Sequence, residues 1–122
     1  MPLKQEPIPD KEILDFLKTE FKTTPKMSTY LVAFIVSDFK KLTNEHRNYS
    51  VYAKPTGYKN GKFALEVGQK LLQELDDFTG ISFNDRISKI DQFAIPDLLS
   101  EAMENWGVVT YRLKPISIII IQ

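Results

Sequence analysis

One stretch constrains the fold more than any other: Ala64, Leu65, Gly68, Leu71, Leu72, Leu75 and Phe78 recur at three- and four-residue steps, with Glu66, Lys70, Glu74, Asp76 and Asp77 largely opposite. That spacing gathers the apolar side chains on one stripe of an α-helix, and Gly80 supplies the C-terminal stop. The stripe Leu71, Leu72 and Leu75 reads as core. A lone amphipathic helix must bury its stripe on something, and the flanking sequence offers strands. Residues 27–39 are rich in aromatic and β-branched side chains without a polar stripe, which predicts a long strand buried on both faces. Residues 49–54 alternate Tyr49, Val51, Ala53 with Ser50, Tyr52, Lys54 before the breaker Pro55-Thr56-Gly57, a second strand. Residues 87–95 and 106–112 read as two more. Between these, 40–47 and 96–105 read as a polar turn and a loop, Asn60-Gly61 as a turn signal, and 10–18 as a short helix with Asp10 as its N-cap. The expectation is an α+β fold, β-rich, with one principal helix.

Composition narrows the function. Sixteen Lys and Arg balance sixteen Asp and Glu in 122 residues, so the chain lacks the basic excess that holds a nucleic-acid backbone, and no nucleic-acid partner is expected. With no cysteine there is no disulfide, thiolate nucleophile or Cys-ligated zinc, and a single histidine, His46, precludes any two-histidine metal site. His46 lies in a polar turn and reads as a surface residue. The apolar runs at 30–36 and 116–121 fall far short of the ~20 residues of a membrane helix, so no membrane segment is expected. At this length either a complete small domain or a fragment fits.

Chemistry concentrates at 97–107, where Asp97, Glu101 and Glu104 sit between two expected strands. Two readings stand side by side. The acids are solvated loop carboxylates, which need no function; or a carboxylate such as Glu104 accepts charge-assisted hydrogen bonds from an ammonium group. Asn48-Tyr49-Ser50 is an N-glycosylation sequon, making Asn48 a modification candidate in a secretory setting. Tyr52, Tyr58 and Tyr111 read as sheet and core aromatics, though a tyrosine near the 97–107 loop has the chemistry to assist a substrate carbonyl.

Ala102-Met103-Glu104-Asn105-Trp106-Gly107 resembles the G-A-M-E-N-W-G exopeptidase motif of the aminopeptidase N-like zinc metallopeptidases. Other signatures follow in the same order. Thr24-Pro25-Lys26-Met27-Ser28-Thr29-Tyr30-Leu31-Val32-Ala33-Phe34 resembles the last long strand of that family's N-terminal β-domain, and Phe63-Ala64-Leu65-Glu66-Val67-Gly68 the first helix of its catalytic domain. Lys89-Ile90-Asp91-Gln92 with Ala94-Ile95-Pro96-Asp97 resembles the strand entering the motif loop. The resemblance runs over about residues 1–112.

The resemblance implies that Glu104 binds the free α-amino group of a peptide, with Ala102, Met103 and Asn105 alongside the substrate and Glu101 at the position of the motif's glycine. Glu101 adds bulk and a second negative charge where glycine permits close approach, and loss of function is the expected consequence. It also implies zinc in full-length relatives, held by an H-E-x-x-H helix and a further glutamate. This sequence contains no such helix, so the chain alone is expected to be inactive, with no cofactor of its own. Implied domain limits are 1–47 for the end of a β-sandwich-like N-terminal domain, 48–112 for the start of a thermolysin-like catalytic domain, and 113–122 for a divergent Ile-rich tail that reads as foreign. The implied partners are peptides with a free N-terminus; a full-length aminopeptidase is the partner in the decoy alternative below. The family suggests the cell surface or extracellular space; the chain as it stands, without a signal or anchor, suggests the cytosol. A peptide-end binding or decoy module, or a gene fragment without its own function, are the alternatives.

Overall fold

The computed structural model describes residues 2–7 and 17–113, which form an α+β structure of strands and one α-helix. β1 (Pro2–Pro7) and β2 (Leu17–Phe21) make a separate antiparallel pair. The expected helix over 10–18 therefore gives way to strand at its end, because Leu17 and Lys18 ladder with Pro7 and Glu6; residues 10–16 of it lie outside the described residues. So does the Ile-rich run 116–121.

The main sheet has five strands: β3 (Lys40–Thr43), β4 (Tyr49–Ala53), β5 (Ile90–Ile95), β6 (Ala102–Asn105) and β7 (Val108–Arg112), in the order β3-β4-β5-β7-β6. β4, β5 and β7 run parallel, and an antiparallel strand flanks them on each side. α1 (Tyr58–Thr79) connects β4 to β5, as a parallel pair requires a long crossover. The chain then returns as β6 on the outside, and a two-residue turn at Trp106-Gly107 inserts β7 between β5 and β6.

The helix packs on β4 and β3 along Gly61, Leu65, Gly68 and Leu72, one face at helical spacing. Tyr49, Val51, Leu65, Ile90 and Val109 form the buried core beneath it. Gly68 lies against the Tyr49 ring, where a Cβ would overlap the phenol, and a Cβ on Gly61 would come within 2.6 Å of Leu42 Cδ1. Asn60-Gly61 is thus not a turn: the glycine thins the helix where β3 passes beneath it. At the other end Gly80 adopts φ 66° and donates to the Asp76 carbonyl, as the sequence predicts. The Asp76 carboxylate accepts the Phe83 N–H at 3.0 Å and the Ser82 hydroxyl at 3.2 Å, turning the chain back toward β5.

Four further expectations need correction. Leu71 and Leu75 of the expected core stripe are exposed, as is Phe78 beyond them, while Leu72 packs against the core; the 22-residue helix is ~33 Å long, whereas strands of four to six residues span only ~13–20 Å, so its later turns overhang the sheet. Residues 27–39 contain a 3-10 turn at Thr29–Leu31 and then extended chain with no ladder partner among the described residues. Leu31, Ala33 and Ile35 are half-buried while Phe34 and Val36 stand 86% and 100% exposed. β-branched and aromatic residues favour strand by fitting a pleated, packed surface, and only one face here has a neighbour. Third, Lys40–Thr43 is strand rather than turn, since Leu42 and Thr43 pair with Val51 and Ser50. Finally, Ala102–Asn105 is strand rather than loop.

Candidate functional site

β6 forms one edge of the sheet, and its neighbours decide what it presents. The register sets Ala102 opposite Tyr111 and Glu104 opposite Val109. Ala102 and Glu104 thus share the face on which α1 packs, while Met103 and Asn105 turn to the other. Glu104 is exposed on the rim, Met103 is 40% exposed, Ala102 is half-buried and Asn105 is buried.

Both ends of β6 are held by cations. Arg112 donates its guanidinium hydrogens to the carbonyls of Leu98 and Leu99, and its backbone N–H to the Glu101 carbonyl at 2.8 Å. These bonds fix the loop that delivers β6. Beyond the far end, Lys89 Nζ donates to the Gly107 carbonyl at 2.7 Å and pairs with Asp91 Oδ2 at 2.5 Å. Gly107 has φ 78°, and a Cβ there would lie 3.2 Å from both Ile87 Cγ2 and the Lys89 carbonyl, so the tight turn requires glycine. No motif in the sequence marks Lys89 or Arg112 as supports of β6.

Glu101, at the start of the strand, is exposed, and Arg47 is the one non-glycine residue at positive φ among the described residues. The backbone at 101 therefore takes a conformation open to any L residue. On the α1 face, Gln92 Nε2 donates to the Tyr111 hydroxyl at 3.4 Å. Burial raises the Tyr111 phenol above its ordinary range, and the neighbouring Glu104 carboxylate raises it further. The Tyr49 phenol is also raised, chiefly by burial and then by Tyr111, against a smaller opposing effect of Gln92. Gln92 and Tyr111 thus meet on this face, and Glu104 stands near enough for its charge to act on the phenol. Tyr52, in contrast, stacks on Phe93 on the opposite face with ring centroids 4.3 Å apart.

Asn48 lies elsewhere, in an open polar groove of about 320 Å³ lined by Asn44, Gln69, Asp76 and Asn84 among others. Its Oδ1 accepts from Asn44 Nδ2 at 2.7 Å, and its Nδ2 donates to Asn84 at 3.4 Å. Ser50, which completes the sequon, is buried and donates to the Thr43 hydroxyl. His46 lines the same groove and is exposed.

The donor set does not fit the zinc that the resemblance implies. The sequence holds one histidine and no cysteine, and among the described residues no three His, Cys, Asp or Glu side chains are grouped to hold an ion. No helix among the described residues is long and apolar enough to cross a membrane.

No protein-family model matches the chain. Individual relatives do. Over 99 residues it is 46% identical to endoplasmic reticulum aminopeptidase 1 of Mus musculus, covering 79% of this chain and 10% of that protein. Over 102 residues it is 40% identical to aminopeptidase N of Plutella xylostella, covering 80% of this chain and 11% of the relative. Membrane alanyl aminopeptidase of Manduca sexta is 42% identical over 97 residues, 75% of this chain and 10% of the relative. The chain spans about a tenth of the length of these curated relatives. With the A-M-E-N-W-G strand in place and this identity running over some four-fifths of its length, the chain belongs to the aminopeptidase N-like family.

Proposed function

We propose that this chain carries the peptide amino-terminus recognition element of an aminopeptidase and does not hydrolyse peptides by itself. The observation that supports this reading is the exposed Glu104 carboxylate on an edge strand whose delivering loop and hairpin turn are fastened by Arg112 and Lys89. A carboxylate at a fixed point accepts charge-assisted hydrogen bonds from an ammonium group, and an internal or acetylated amide offers it no charge. β6 has no ladder partner on its outer side among the described residues, although the Thr29–Leu31 turn lies near it, so an extended peptide can pair its own N–H and C=O groups there, with Met103 and Ala102 beside it. Glu104 then reads the chain end, and the strand edge reads the extended backbone.

Hydrolysis by the family's zinc chemistry needs metal ligands and a water-activating base, and the donor set described above does not provide them. Zinc in the full-length relatives, and peptides as the substrate class, come to this chain by kinship alone. Asn48 is proposed as a glycosylation site wherever the chain enters a secretory compartment.

Calorimetric titration with a short peptide and its N-acetylated twin tests the recognition reading. Saturable binding of the free amine, absent for the acetylated form and lost in Glu104→Gln, is the expected result; equal binding of both peptides contradicts it. For catalytic silence, chelator-sensitive release of N-terminal residues by the pure chain is the contradicting result.

A further inference from the structure

We propose that Asn48 accepts a glycan only while the chain is unfolded, and that assembly of the β3-β4-β5 sheet closes the sequon. The inference rests on the reading of Asn48 as a glycosylation site and adds when that site is open. The chain holds one Asn-x-Ser/Thr sequon, Asn48-Tyr49-Ser50, and the fold engages each of its residues. Ser50 is 1% exposed, laddered to both β3 and β5, with its hydroxyl donating to Thr43 Oγ1 at 3.1 Å. Tyr49 is 3% exposed, and its phenol lies against Gly68. Its N–H donates to Asn44 Oδ1 at 3.1 Å, and its carbonyl accepts from the Asn44 N–H at 3.0 Å. The Asn48 carbonyl accepts from the Ile90 N–H at 2.8 Å, the Asn48 N–H donates to Asn44 Oδ1 at 3.1 Å, and the carboxamide bonds to both Asn44 and Asn84.

Glycosyl transfer needs these same groups free. The Nδ2 nitrogen attacks the anomeric carbon of a glycosyl diphosphate donor; an N–C bond forms, the C–O bond to the diphosphate breaks, the diphosphate leaves with the electron pair, and one Nδ2 proton passes to a base of the transferase. The hydroxyl two residues on distinguishes an acceptor asparagine from any other, and an enzyme reads it only by touching it. A serine buried inside a sheet offers no such contact. Sequence order gives the unfolded sequon its time, because Asn84 follows Asn48 by 36 residues and β5 comes later still. Synthesis at ~5–20 residues per second leaves about 2–7 s before those partners exist. A chain glycosylated in that interval still completes the sheet: the groove that Asn48 lines is open, and Nδ2 keeps its second hydrogen for Asn84.

The test gives a purified oligosaccharyltransferase, supplied with a lipid-linked oligosaccharide diphosphate, three acceptors: the folded full chain, its Gly68→Val variant, and an unstructured reference peptide of residues 44–54. Mass spectrometry follows the gain of one glycan, and Asn48→Gln confirms where it is attached. The peptide is expected to be modified readily, and the folded chain slower by about tenfold or more, since only its transiently opened fraction reacts. Gly68→Val, which forces α1 away from Tyr49, is expected to raise the rate of the full chain toward that of the peptide. Modification of the folded chain as fast as the peptide overturns the proposal and leaves Asn48 an acceptor. A Gly68→Val rate that stays at the wild-type level while its urea midpoint falls also overturns it. No gain in any acceptor, the peptide included, overturns the glycosylation reading itself and the proposal with it.

Discussion

The two edges of the five-stranded sheet are built in opposite ways. β3 reads Lys-Lys-Leu-Thr; its Leu42 tucks under Gly61 of the helix, and Lys41 lies over the Tyr52 ring at 5.6 Å from the centroid. Lysines along an edge discourage another strand from adding there, since each must be desolvated or displaced. β6 carries no lysine. Its polar outer residue is Glu104, and its cations, Lys89 and Arg112, are spent on the turn and loop that frame it. One edge is closed by solvated charge and helix cover, whereas the other is fastened at its turn and loop, has no ladder partner on its outer side among the described residues and lies near the Thr29–Leu31 turn.

The largest expected break comes on the closed side. Gly68→Val drives a branched side chain into the Tyr49 ring, lifts α1 from β4 and is expected to cost about 3 kcal/mol or more, read as a fall in the urea midpoint. On the β6 side, Lys89→Met removes the bond to the Gly107 carbonyl, which keeps the Asp91 N–H at 3.0 Å, and leaves the partly buried Asp91 carboxylate without its cation. A loss of about 2–4 kcal/mol is expected, with hydrogen exchange accelerating most in residues 102–110. Unchanged exchange there would mean that the clamp does not hold the hairpin.

Alkali tests the ground between the edges. Tyr49 and Tyr111 have native pKa values raised above the ordinary 10.0. The unfolded chain therefore loses these protons first, and stability is complete below pH 10 and falls as pH rises through the native values. Tyr49→Phe is expected to flatten that decline in a pH series of chemical melts. The smallest effect belongs to Lys41→Ala, under ~1 kcal/mol for an exposed cation over a half-buried ring. Its interest is a greater tendency to self-associate through β3, read by sedimentation.

The helix and the strands β4 and β7 are legible in the sequence because their signals are local. The 3.6-residue spacing from Ala64 onward and the alternation around Val51 need no knowledge of partners. Edge strands hide for the opposite reason. Lys40–Thr43 and Ala102–Asn105 are short and polar, and become strands because long stronger neighbours template them. Residues 27–39 mislead in the other direction, having strand-forming residues with no ladder partner among the described residues. Asn60-Gly61 misleads because the same glycine that suits a turn also suits a helix crossing close over Leu42. Glu104 is legible through the motif alone. Its supports are not: Arg112 and Lys89 act on backbone carbonyls 13 to 18 residues away, which no side-chain pattern records.

We propose that the β6 edge reads a free amino terminus. The most direct measurement is backbone amide chemical-shift mapping on the ¹⁵N-labelled chain during addition of a free-amine peptide and then its acetylated twin. Shifts concentrated at residues 102–105 and 109–111, produced by the free amine alone and abolished by Glu104→Gln, are the predicted result. Shifts confined to β3 or to the groove around Asn48, or a response indifferent to acetylation, would contradict it.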